Sequence, residues 1–194
     1  MDAPGTDTSL SLRDWSVSGW LNVQSGGYSV DDLAGRVVLA AAFQMLCPGC
    51  VEQTVPQLRR AAATFPVEQV AVVGLHTVFE HHEAMTPLSL EAFLHEYRVG
   101  FPVAVDEPAR RGPTPVTMER FSLRGTPTVM LYDRAGLLRR RTFGHVPDLQ
   151  LGSEITALVL EGGSGASDTR STAGVAPVAG MHPEPGCDDA GCRR

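Results

Sequence analysis

The chain has 194 residues, 43% hydrophobic, 20% charged and 6% aromatic, with a formal charge of −6. That length suits one ordinary globular domain with a sizeable core, and the composition excludes collagenous and wholly disordered classes. All 16 basic residues are arginine, which excludes lysine chemistry such as Schiff-base formation. No basic cluster is longer than Arg139-Arg140-Arg141, so nucleic acid is not expected as a partner. The longest apolar run, Val37 to Phe43, falls far short of a membrane span, and no membrane partner is expected either. The first residues, Met1 to Asp7, are acidic where a secretory leader would be basic, and no apolar segment follows before Val37; a cytoplasmic location is expected.

Residues 1–28 hold Leu10, Leu12, Trp15, Trp20, Leu21 and Val23 and are expected to add an N-terminal strand or hairpin. Arg36 to Phe43 (RVVLAAAF) is a continuous apolar run of the kind found in strands buried on both faces. After it, Val51, Val55, Leu58, Ala62 and Phe65 recur at helical spacing. Gln69 to Leu75 (QVAVVGL) predicts a second buried strand, and Ser89 reads as the N-cap of a helix through Leu90, Phe93, Leu94 and Tyr97. Thr128 to Tyr132 and Leu137 to Phe143 predict two strands joined by a turn at Asp133-Arg134-Ala135-Gly136. Leu149 to Leu160 closes the pattern as a helix, at some cost from Gly152. Strand–helix–strand crossovers require parallel pairing and the terminal hairpin requires an antiparallel pair, so the expected fold is α/β, with a mixed central sheet flanked by helices. Residues 1–161 make the domain. Residues 162–194 hold seven glycines, three prolines and no Leu, Ile or Phe, the composition of a flexible tail that cannot bury enough apolar area to offset its ordering entropy.

The four cysteines are too few and too unevenly spaced for a disulfide scaffold. Cys47-Pro48-Gly49-Cys50 lies between a buried strand and a helix. A thiol at a helix start faces unpaired N–H groups and the positive end of the dipole, which favour thiolate. Cys47 is therefore the expected nucleophile toward a disulfide, and Cys50, one turn inward, the resolving thiol. A CxxC pair is also half of a zinc site, so a metal-binding module using Cys47, Cys50, Cys187 and Cys192 is an alternative, although 136 residues separate the pairs. No metal site is assigned, and thiol–disulfide exchange calls for no cofactor. The cluster from His76 to Glu83, with His81 and His82, does not have the spacing of a known metal motif.

Gly125-Thr126-Pro127-Thr128 precedes the terminal hairpin. CxxC after the first core strand, with Thr-Pro before the hairpin, resembles the thioredoxin superfamily over residues 29–160. Ser29 to Leu39, Phe101 to Asp106 and Asp133 to Gly136 look like the TlpA-like thiol-disulfide oxidoreductases and the redoxins related to alkyl hydroperoxide reductase. The resemblance implies that Pro127 is a cis-proline lying against the cysteines, that Thr126 offers backbone groups to an extended substrate strand, that the substrate is a protein or small-molecule disulfide, and that a separate electron donor or acceptor completes the cycle. The sequence also departs from the family. Leu46 stands where thioredoxins have tryptophan, and Ala41 where they have a buried acid; Glu52 is then a substitute base. An antioxidant alternative is a peroxiredoxin-like peroxidase. There Cys50 is the peroxidatic residue, Cys47 replaces the hydroxyl residue and Phe43 the proline; Thr54, Val55 and Pro56 look peroxiredoxin-like, and Arg124 polarises the peroxide. Cys187 and Cys192 are candidates for a tethered shuttle dithiol.

Overall fold

The structure is a computed structural model that describes residues 10–23 and 27–161. The expected tail, with Cys187 and Cys192, lies outside the described residues. Ten regular elements form the domain: β1 (Val17–Leu21), β2 (Val37–Phe43), α1 (Val55–Thr64), β3 (Val70–His76), α2 (Pro87–Glu96), β4 (Val103–Asp106), α3 (Val116–Arg120), β5 (Thr128–Tyr132), β6 (Leu138–Phe143) and α4 (Asp148–Glu161). The strands make one six-stranded sheet in the order β1-β4-β3-β2-β5-β6. β2 and β3 run parallel from Val37 opposite Val70 to Phe43 opposite His76, and β4 extends the parallel part. β5 lies antiparallel on the other side of β2, and β6 follows it through the hairpin. The Asp133 carboxylate closes that turn by accepting from the N–H groups of Ala135 and Leu137, with Gly136 at φ 78, a conformation that costs glycine little.

Every residue of β2 and β3 is buried, because α1, α2 and α4 cover one face and the N-terminal segment together with α3 covers the other. Val37, Leu39, Ala41 and Phe43 share one cluster with Leu58 of α1, Leu90 of α2 and Ile155 of α4. Val38, Ala40 and Ala42 share the opposite cluster with Trp15, Phe121 and Tyr132. There Trp15 Nε1 donates to the Tyr132 hydroxyl at 2.9 Å, so both aromatic polar atoms are satisfied inside the core.

An N-terminal strand, one of the two forms expected for residues 1–28, is present as β1, which pairs antiparallel with β4 at the sheet edge. Three features differ from the sequence expectation. β4 and α3 are additional elements, of four and five residues, too short to show a period. The α2 cap is Thr86, whose hydroxyl accepts from Ser89 N–H at 3.2 Å, because Pro87 takes the first helical position and moves the start three residues upstream. The helix after the cysteines is not continuous α-helix either. Cys50–Thr54 is a π-helical turn in which Val55 N–H reaches the Cys50 carbonyl. Pro56 has no N–H, and its ring would press on the carbonyl four residues back; the wider turn accommodates it. The resulting shift of register leaves Ala62 exposed and buries Ala61.

Gly74 sits opposite Ala41, and a Cβ there would come within 2.9 Å of the Phe43 ring and 3.2 Å of Val103. Gly74→Ala is expected to destabilise the domain by about 1–3 kcal/mol in denaturant unfolding, the usual effect of overpacking a core.

His76 is 2% exposed and its Nε2 has no hydrogen-bond partner among the described residues. Burial lowers its pKa from 6.5 to about 4. The unfolded chain binds a proton below pH 6.5 that the folded chain refuses until about pH 4, so stability falls as pH drops through this window, by on the order of 3 kcal/mol. Unfolding free energies at stepped pH are expected to show this loss, and His76→Phe to remove most of it.

Candidate active site

β2 delivers the chain to the cysteines. After Phe43, Gln44 begins a turn in which Cys47 N–H donates to the Gln44 carbonyl at 3.2 Å. The backbone becomes helical at Pro48. The Cys47 carbonyl accepts from Cys50 N–H at 3.0 Å and Val51 N–H at 3.1 Å, so Cys47 stands at the mouth of the helix and Pro48 fills the first position, where a missing N–H costs nothing.

The two described cysteines are free thiols with different surroundings: Cys47 is partly exposed and Cys50 fully buried. Burial pushes the Cys50 thiol up from 9.0 to about 12, and the hydrogen bond and charge of Cys47 add to that rise. The Gln44 backbone and the Thr126 hydroxyl act against it. Cys50 also shares the apolar cluster of Phe43, Met45 and Met85.

Opposite the cysteines lies the loop before β5. The Thr126–Pro127 peptide bond is cis. The Cys47 thiol lies 3.6 Å from the Thr126 carbonyl oxygen, which accepts from it. Pro127 Cδ lies 3.6 Å from the position a Cβ on Gly49 would take, an ordinary contact with room for a methyl. The loop is held from behind: Gly144 N–H donates to the Pro127 carbonyl at 2.8 Å, and the Thr128 hydroxyl to the Gly125 carbonyl at 2.7 Å.

The structure thus brings Cys47, Cys50, Thr126 and Pro127 together, with Glu52 and Arg124 on the surface. Glu52 is exposed, with no hydrogen bond to either sulfur among the described residues; a carboxylate gains more from water than from this crevice. Arg124 is exposed too, its guanidinium 5.7 Å above the Phe143 ring. Ala41 is fully buried and brings no acid. Asp106, raised by burial, is occupied by Thr77 and by the N–H groups of Thr117 and Met118. His81 and His82 are exposed, and no group of three or more His, Cys, Asp or Glu among the described residues is placed to hold a metal.

Two residues enter the site unannounced by the motifs. Gln44, 1% exposed, directs Nε2 toward Thr126 Oγ1 at 3.5 Å; its one signal in sequence is a polar residue between an apolar strand and Met45-Leu46. Phe143, 52% exposed, pairs with Thr128 and lies beside Gly125 in the loop of Thr126, and Leu46, 54% exposed, directly precedes Cys47. A cavity of about 850 Å³ lies at the other end of the sheet, where β2 and β3 begin, lined by Arg36, Arg59, Arg98, Val70 and Phe101. It includes none of the cysteine-site residues.

Among solved structures, a thioredoxin-like superfamily protein is 50% identical, over 77% of this chain and 96% of its own, with a TM-score of 0.73. The chain belongs to the thioredoxin superfamily. A thiol-disulfide isomerase from Corynebacterium glutamicum is 45% identical, over 75% of this chain and 93% of its own, with a TM-score of 0.72. A protein from Chlorobium tepidum assigned as the thiol:disulfide interchange protein DsbE shares the fold at 23% identity, over 77% and 95% of the two chains, with a TM-score of 0.59. No family model and no curated protein matches the chain. Among the described residues no helix is long and apolar enough to cross a membrane.

The difference in burial has a direct readout. In the reduced native protein, iodoacetamide is expected to label Cys47 and to leave Cys50 unmodified until denaturant is added, as read by peptide mass mapping. Equal labelling of both would contradict the geometry.

Proposed function

We propose that the protein is a thiol-disulfide oxidoreductase, with Cys47 the nucleophile and Cys50 the resolving thiol. The observation that carries this reading is the solvation of the pair: one sulfur reaches solvent at a helix mouth, and its neighbour is fully buried one turn inward. Cys47 thiolate attacks a substrate disulfide, forms a mixed disulfide and expels one substrate thiolate. Cys50 then gives up its proton and attacks Cys47 Sγ, the second substrate thiolate leaves, and the protein disulfide is complete. Run backwards, the same steps oxidise a dithiol. The potential of the pair against its surroundings sets the direction, through a separate donor or acceptor.

The cis Thr126–Pro127 loop is the platform for an extended substrate strand. Pro127 presents no N–H, and the Thr126 carbonyl that accepts from the Cys47 thiol becomes available to a substrate N–H once that proton has left. Leu46 beside Cys47 and Phe143 beside Gly125 are exposed apolar side chains, which suit a polypeptide disulfide better than a small polar one. A peroxidase cycle would need Cys50 as thiolate, and burial holds that thiol neutral; the geometry supports disulfide exchange over peroxide reduction.

Cys50→Ser is expected to accumulate a mixed disulfide with a peptide disulfide, mapped to Cys47, whereas Cys47→Ser loses turnover in insulin reduction. Peroxide consumption that persists in Cys47→Ser and vanishes in Cys50→Ser would overturn the assignment.

A further inference from the structure

The cavity at the end of the sheet where β2 and β3 begin is built by a missing stretch of ladder. β4 meets β3 only from Val103 opposite Gly74. Gly74 N–H donates to the Pro102 carbonyl at 3.0 Å, and Pro102, with no N–H of its own, cannot carry the ladder further back. Among the described residues, Val70 to Val73 therefore have β2 on one side and no strand on the other. The notch opens into a space of about 850 Å³, a size that suits a small-molecule site. Its walls are largely apolar: Val70, Val72 and Phe101 are buried, and Phe65 lies beside them.

The charged part of the lining is Arg36, Arg59 and Arg98, with no acidic side chain among the described residues, in a chain whose formal charge is −6. Among those residues none of the three arginines pairs with a carboxylate. Asp32 meets Arg36 through its backbone carbonyl, while its carboxylate accepts from Ser29 N–H at 2.7 Å. Arg36 also donates to the Val67 carbonyl at 3.2 Å; these two bonds fix a guanidinium that has five N–H donors, so others remain for a ligand. Arg98 stands at φ 51 just past α2, where its N–H donates to the His95 carbonyl and Val99 N–H to the Leu94 carbonyl. That left-handed position at a helix end favours glycine, so the backbone gives no reason for an arginine and the side chain has to supply one. The other polar side chains of the lining are Asn22 and Tyr28, and Asn22 Nδ2 is already engaged with the Val99 carbonyl at 2.6 Å. A sugar or a base would find few partners here, whereas an acid group on an apolar body would find both halves of its surface matched.

We propose that this cavity binds a small organic carboxylate with an apolar body, the carboxylate held by Arg59 and Arg98 beside the fixed Arg36 and the body lying against Val70, Val72 and Phe101. Guanidinium and carboxylate are matched in geometry as well as charge, and the apolar walls gain from covering a hydrocarbon that water would otherwise surround. The site shares no residue with the cysteine crevice, so its test stands whatever the outcome for Cys47 and Cys50.

Binding is read on the full-length protein from amide resonances during titration with octanoate. The expected result is a saturable shift at Val72, Gly100 and Phe101, with Cys47 and Thr126 unmoved. Octanol keeps the body without the charge, acetate keeps the charge without the body, and each is expected to bind at least about tenfold more weakly than octanoate. Arg59→Gln and Arg98→Gly are each expected to weaken octanoate about tenfold, the effect of one charge-assisted hydrogen bond. Glycine adopts the left-handed conformation freely, so Arg98→Gly is expected to unfold at no lower a temperature than the parent, and its weaker binding is then not a failure to fold. Octanoate that does not saturate, octanol or acetate binding as tightly as octanoate, or arginine variants that bind as the parent does would each overturn the proposal.

Discussion

The site depends on one asymmetry of solvation. Two thiols three positions apart are held so that one meets water at a helix mouth and the other is sealed beneath it. Two constraints enforce this. The buried strand β2 ends at Phe43 and delivers the turn of Gln44 to Leu46 to the edge of the sheet, and the cis Thr126–Pro127 loop closes against Cys47 and Gly49 from the other side. Loosening either would let water reach Cys50, and the rise in its pKa, whose main cause is burial, would collapse.

The loss of the buried acid has a cost and a compensation. With Ala41 in the core, the β2–β3 interface is wholly apolar there, and Gly74 opposite admits the Phe43 ring. Among the described residues no carboxylate bears on the Cys50 proton, and the Gln44 backbone and the Thr126 hydroxyl only moderate the rise that burial imposes on that thiol.

Much of the fold was legible in the sequence. β2, β3, β5, β6 and α4 announce themselves through apolar runs, a hairpin turn and helical spacing. β4 and α3 do not, because so few residues show no period, and the β1–β4 pairing is a long-range contact that no local pattern encodes. The π-helical turn was hidden behind a helical pattern that took no account of Pro56. At the site, Cys47, Cys50, Thr126 and Pro127 stood in motifs, whereas Glu52 and Arg124 were proposed from chemistry and turn out exposed. Gln44 carried no motif, since its place is defined by a loop more than eighty residues away, at Thr126.

The most direct test is a residue-resolved titration of the full-length reduced protein, with cysteine Cβ labelled and followed by NMR. The account predicts that the Cys50 resonance still holds its thiol position at pH 9.0, where an ordinary cysteine is half ionised, and moves only as pH approaches about 12. A midpoint at or below 9.0 would show an open, hydrated sulfur and contradict the buried resolving thiol on which the site is built.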